Sequence, residues 1–96
     1  MTEYWPNLKP LEAWAEYEKL VAAQGGVCAI CKLAETNVVS KKNPKVRILS
    51  VDHCHKTGKI RGLLCHACNV GIGHFEDDPS LIDRAIQYLK GSYASR

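Results

Sequence analysis

Cys28-Ala-Ile-Cys31 and Cys65-His-Ala-Cys68 constrain this chain more than any other feature. A CxxC pair sets two thiolates on one tight turn, and two such pairs supply the four soft sulfur ligands that tetrahedral Zn²⁺ prefers in a closed structural site. Disulfides are the competing use of four cysteines. They belong to small secreted folds, and the odd fifth thiol, Cys54, speaks against an oxidising compartment. Cys54 itself is expected to be a small unliganded side chain. The 33 residues between Cys31 and Cys65 exceed the spacing of a short zinc ribbon and leave room for a functional unit between the knuckles.

A chain of 96 residues is expected to form one small domain, 1–96. Its core is so limited that a metal staple would contribute a needed part of the folding free energy, and the apo chain should be poorly folded. No segment approaches the roughly 20 apolar residues of a membrane span, and the N-terminus lacks a charged-then-apolar signal pattern. The cytoplasm is therefore the expected compartment. The formal charge of +3 falls to +1 once one Zn²⁺ and four thiolates are counted. Distribution matters more than the total. Lys41, Lys42, Lys45, Arg47, Lys56, Lys59 and Arg61 face a single acid, Asp52, between positions 41 and 61. Such a band suits a polyphosphate ligand.

The pattern along the chain is α+β. Leu11, Trp14, Leu20 and Val21 recur at helical spacing, with Pro10 at the start and Gly25-Gly26 at the stop, which predicts a packed amphipathic helix over 10–23. Trp14 and Tyr17 are expected in its core and rim rather than on a base-stacking platform. Residues 33–44 lack periodicity and read as a loop. Val46–Cys54 and Lys59–Leu64 are apolar-rich runs joined across Lys56-Thr57-Gly58, which predicts a hairpin over 46–64. A short helix over 66–73 follows Cys65. Asp77-Asp78-Pro79-Ser80 predicts the start of a last helix over 80–90, with Leu81, Ile82, Ala85, Ile86 and Leu89 buried and Gly91 as its stop.

Chemistry concentrates where hairpin and short helix meet. Cys68, fixed to zinc on the first turn, would hold its neighbour Asn69 so that the amide oxygen projects toward the hairpin. Asp52, near the end of the first strand, would face the same helix. One carboxylate and one amide oxygen are hard ligands suited to Mg²⁺ or Mn²⁺, which predicts a second, catalytic metal site. His53 cannot share the direction of Asp52 on a regular strand, and a neutral imidazole across the scissile phosphate can take a proton from the attacking water.

The run Val51-Asp52-His53-Cys54-His55-Lys56-Thr57-Gly58-Lys59-Ile60-Arg61-Gly62-Leu63-Leu64-Cys65-His66-Ala67-Cys68-Asn69 closely resembles the recombination endonuclease VII family of phage HNH nucleases, whose core is the ββα-metal fold. Gln24 to Cys31, Asp77-Asp78-Pro79 and Tyr88-Leu89 look like the same family, so the resemblance covers roughly residues 14–90. It implies a small zinc-stapled ββα-metal (HNH) fold with flanking N- and C-terminal helices. It also implies structural zinc on Cys28, Cys31, Cys65 and Cys68, and a catalytic divalent ion on Asp52 and Asn69. His53 would be the general base and His55 a contact to the reacting phosphate. The implied activity is hydrolysis of DNA phosphodiesters to a 5′-phosphate and a 3′-hydroxyl, in the bacterial host cell if the gene is a phage's. The family's namesake resolvase has a carboxylate three residues after the helix asparagine, where this chain has Ile72, and further helices that grip branched DNA as a dimer. Junction resolution is therefore not implied by the core alone.

The remaining basic and histidine residues have weaker claims. Arg61, Lys56 and Lys59 are expected on DNA phosphate, because a guanidinium matches phosphate bidentately and lysine supplies a point charge. His66, inside a knuckle, is expected to be exposed. His74 lies five positions after Asn69, about 140° round a regular helix, and would join the metal only if the Gly71–Gly73 region unwinds. The expected partner is DNA, cut with modest sequence preference by a monomer or weak homodimer. A non-catalytic zinc-dependent DNA-binding module would use the same basic hairpin but leaves Asp52, His53 and Asn69 without a role. A protein-interaction zinc domain would make the basic band incidental.

Overall fold

A computed structural model describes residues 3–94. The elements run α1 (Pro10–Ala23), β1 (Ser50–His53), β2 (Ile60–Leu64), α2 (His66–His74) and α3 (Pro79–Ala94). The two strands pair antiparallel, and α2 packs back on both. The core comprises Tyr17, Cys28, Leu49, Val51, Leu63, Leu64 and Cys65, with Leu20, Val21, Ile60 and Ile72 packed at its margin.

Helix α1 spans the residues that periodicity marks out, and Tyr17, Leu20 and Val21 pack inward as expected, but the buried face is centred on Ala13 and Tyr17 rather than on Leu11 and Trp14. Ala13 and Tyr17 are its buried residues, whereas Leu11 is 84% exposed and Trp14 stacks on Tyr17 from outside at 5.2 Å. Two physical reasons favour this choice. The small Ala13 permits close approach, and the Tyr17 hydroxyl donates a 2.7 Å hydrogen bond to the buried Leu49 carbonyl. A buried aromatic with a polar tip needs such a partner.

The hairpin is shorter than its apolar run. Strand β1 begins at Ser50 rather than Val46, because the preceding residues pair with the loop. Val46 bridges Val38, the Val39 N–H donates to Lys45, and the Arg47 N–H donates to Asn37. Gly58 takes φ +75° in the connection, where its N–H reaches the Cys54 carbonyl at 2.7 Å. The outer edge of β2 is filled by a side chain. Gln24 Oε1 accepts the Leu63 N–H at 2.8 Å, while its Nε2 donates to the carbonyls of Leu63 and Val27 at 3.0 and 2.9 Å. One amide thus replaces a third strand and satisfies backbone groups that burial would otherwise orphan. A Cβ at Gly62 would lie 3.1 Å from Gln24 Oε1, so the glycine leaves room for this clamp.

Helix α3 departs most from expectation. Asp78 starts it, accepting the Ser80 N–H at 2.9 Å. Leu81, Ile82 and Ala85 are only half-buried and Ile86 and Leu89 are exposed, because the rest of the described chain covers this face only in part, at Ile82 near Ile72 and Phe75. Gly91 does not stop the helix. It lacks the left-handed conformation by which glycine ends one, and α3 continues to Ala94.

Replacing Gln24 with Ala should destabilise the fold by about 1–3 kcal/mol, since it leaves the buried Leu63 N–H without its partner and the Leu63 carbonyl with the Ala29 N–H alone. Chemical denaturation of the zinc-loaded protein measures this, and a loss below about 0.5 kcal/mol would show that water replaces the amide.

Candidate active site and metal centre

The four knuckle cysteines converge. Their sulfur atoms all lie within 4.8 Å of one another, and Cys31 Sγ approaches Cys65 Sγ at 3.8 Å. Each knuckle aims backbone donors at its first sulfur. Ile30 N–H points at Cys28 Sγ and Cys68 N–H at Cys65 Sγ, both at 3.4 Å. Burial pushes the Cys28 thiol up, but hydrogen bonds from the backbone at Cys65, Cys31 and Ile30 outweigh it and bring it down to about 6. Burial and the neighbouring thiols of Cys65, Cys28 and Cys31 push Cys68 up to about 12. The cluster therefore tolerates one negative charge readily and resists more without a cation. A tetrahedral divalent ion supplies the missing charge, and these four cysteines are placed to hold one.

The second knuckle is fastened from outside as well. Glu35 accepts the N–H of His66 at the start of α2 as well as those of Thr36 and Asn37. Burial raises its carboxyl, but these three donors outweigh that and hold it below the usual range.

Beside this centre, a bulge separates Asp52, opposite Gly62, from His53, opposite Ile60. The extra residue is Arg61. A bulge re-aims the side chain it carries, and here the guanidinium grips Asp52 bidentately, Nε to Oδ2 at 2.7 Å and Nη2 to Oδ1 at 2.9 Å. Nη2 also donates to Asp77 Oδ2 at 3.2 Å, and the same Asp77 oxygen lies 3.4 Å from His55 Nε2. Hydrogen bonding to Asp52, then to Asp77, holds the Arg61 guanidinium above its ordinary value. His53 takes the other direction, its ring 5.1 Å from that of His55 and 5.7 Å from that of Tyr4. An open cleft of about 530 Å³ lies between residues 54–56 and 76–79, lined in part by His55, Lys56, Arg61 and Asp77.

Asp52, His53, His55 and Arg61 are thus brought together. Arg61, expected on DNA or free on the strand surface, is instead tied to two carboxylates. Lys56 lines the cleft, and Lys59 is exposed beside it in the hairpin connection. Asn69 sits half-buried on the first turn of α2, and its side-chain amide has no hydrogen-bond partner among the described residues. Asp52 and Asn69 offer the hard oxygens a divalent ion takes. A carboxylate keeps acceptor sites beyond the two that Arg61 occupies, so Arg61 would compete with such an ion for Asp52 without excluding it. His74 is exposed at the end of α2, which stays helical through Gly71 and Gly73. Sequence reasoning missed Tyr4, Glu35 and the role of Asp77. The one available signal was the run Glu76-Asp77-Asp78, with more acid than a helix start requires.

A profile of the recombination endonuclease VII family matches residues 6–91. The chain belongs to that family. It is 48% identical over 80 residues to the Gene 59 protein of Mycobacterium phage D29, covering 82% of this chain and 41% of the relative. Its identity to the Gene 59 protein of Mycobacterium phage L5 is 45% over 75 residues, 77% of this chain and again 41% of the relative. This endonuclease VII family member thus spans about two fifths of the length of those relatives. No solved structure matches it significantly.

Cys54 offers a test of the local geometry. Hydrogen bonds from the Thr57 side chain, then from the Thr57 and Lys56 backbone, lower its thiol to about 7. Since the thiolate is the nucleophile, alkylation of Cys54 should rise through pH 7 rather than near the ordinary 8.5. Thr57→Ala should move that midpoint upward. Mass-resolved iodoacetamide labelling across pH measures both, and an unshifted midpoint in the variant would refute the hydrogen-bond cause.

Proposed function

We propose that this chain is a metal-dependent HNH DNA endonuclease that hydrolyses phosphodiester bonds, by nicking or double-strand cleavage with modest sequence preference. The observation that carries the reading is the pairing of His53 and His55 rings 5.1 Å apart beside Asp52, within a chain of the endonuclease VII family. Cys28, Cys31, Cys65 and Cys68 hold structural zinc and so fix α2 against the hairpin. Asp52 and Asn69 hold the catalytic Mg²⁺ or Mn²⁺. When bound, that ion supplies positive charge for the phosphoryl and leaving oxygens.

His53 is the general base. Its ring lies half-buried against Tyr4, which limits where the imidazole can point, and it takes the proton of the attacking water. His55, exposed at the cleft, contacts the reacting phosphate. Lys56 and Lys59 neutralise flanking phosphates, joined by Arg61 where a metal ion displaces it from Asp52, so affinity should fall steeply with salt and carry little base information. The named relatives are mycobacteriophage proteins, which supports an activity inside a bacterial host cell. One such site cuts one strand, and the protein acts as a monomer or weak homodimer.

A non-catalytic DNA-binding module is the second reading. What favours it is the hold of Arg61 on both oxygens of Asp52. Plasmid nicking separates the two. Wild type should nick supercoiled plasmid in Mg²⁺ or Mn²⁺ and not in EDTA, and His53→Ala should slow nicking by about 10²- to 10⁴-fold. Folded, zinc-loaded protein that shifts DNA on a gel yet never cuts it would establish the binding module. Cys28→Ser should act differently, losing zinc by elemental analysis and cooperative unfolding by circular dichroism. A zinc-free variant of full activity would overturn the structural role of the metal.

A further inference from the structure

We propose that Asp77 is a positioning residue of the cleft, which sets the reacting orientation of His55; this rests on the nuclease reading above. Its carboxylate belongs to the α2–α3 connection, more than twenty residues from the histidine pair in sequence. One oxygen, Oδ2, nonetheless meets both His55 Nε2 at 3.4 Å and Arg61 Nη2 at 3.2 Å.

The partners differ in freedom. The His55 side chain is 75% exposed, whereas that of Asp77 is only 19% exposed. An exposed histidine samples several rotamers, and a fixed anion at one ring nitrogen selects among them.

The backbone is arranged for this placement. Glu76 and Asp77 take φ of 57° and 54° in succession, a left-handed conformation that non-glycine residues rarely adopt. Their N–H groups return to the Gly73 and Ile72 carbonyls at 2.9 and 3.0 Å, which holds the turn in place. After α1 the same kind of turn is made by Gly25 and Gly26, which carry no side chain to aim. Strain kept together with an acidic side chain that reaches two site residues points to a functional constraint.

Asp77→Asn is the decisive variant, because asparagine tolerates the left-handed region and preserves shape while removing the charge. In steady-state nicking of supercoiled plasmid, kcat should fall about 10- to 100-fold with KM nearly unchanged, as for lost partners of other functional histidines. Asp77→Glu should recover part of the loss. In combination with His55→Ala, Asp77→Asn should add no further loss, since it acts through that ring. Unchanged kcat in Asp77→Asn, or losses that multiply in the double variant, would overturn the proposal. Imidazole ¹⁵N spectra of the folded protein judge it independently of cleavage. Asp77→Asn should shift the His55 nitrogens, and superimposable resonances would refute the contact even if no DNA were ever cut.

Discussion

Four sulfur atoms sharing one small volume determine how this chain is organised. Of the eight side chains buried among the described residues, two are the thiols of Cys28 and Cys65. The cysteine cluster is therefore part of the core rather than an attachment to it. Each knuckle is also a junction. The first donates from Ala29 to the Leu63 carbonyl of β2, and the second begins α2. Separating the sulfurs would release the outer edge of β2 and the seat of Asn69 together.

A two-stranded hairpin is marginal alone, and this one gains support from groups that are not strands. Gln24 occupies one edge, α2 lies across both strands, and Tyr17 reaches the Leu49 carbonyl just before β1. That economy bears on chemistry. The bulge at Arg61 breaks the alternation of β2 and so brings its guanidinium onto both oxygens of Asp52. Asp52 is thereby kept paired, at little electrostatic cost, in a hairpin too small to bury a lone charge.

What was legible in the sequence was local or carried by cysteine spacing. The knuckles, the glycine turn at 58, the span of α1 and the start at Asp78-Pro79 each depend on a few adjacent residues. The inward face of α1 was legible only in part: Tyr17, Leu20 and Val21 pack as expected, but Leu11 and Trp14 look more apolar than Ala13, and only a distant carbonyl at Leu49 turns Tyr17 fully inward. Gln24 reads as an ordinary helix-end residue until Leu63 arrives beside it. Asp77 reads as part of a helix start, and its meeting with His55 and Arg61 depends on a backbone conformation that acidic residues seldom signal. Exposure of α3 was hidden for a related reason. Periodicity marks an apolar face but names nothing to cover it.

The separation of the two knuckles along the chain has a consequence in time. Cys31 and Cys65, neighbours at the metal centre, are 34 positions apart in sequence. At roughly 5–20 residues per second of synthesis, the first pair of thiolates waits about 2–7 seconds for the second. During that interval it can offer an ion only half of a tetrahedron, next to a β2 not yet made. Helix α1 and the first knuckle must therefore be carried through synthesis without the centre that later unites them, and exposed thiols in that window are open to oxidation or to the wrong metal.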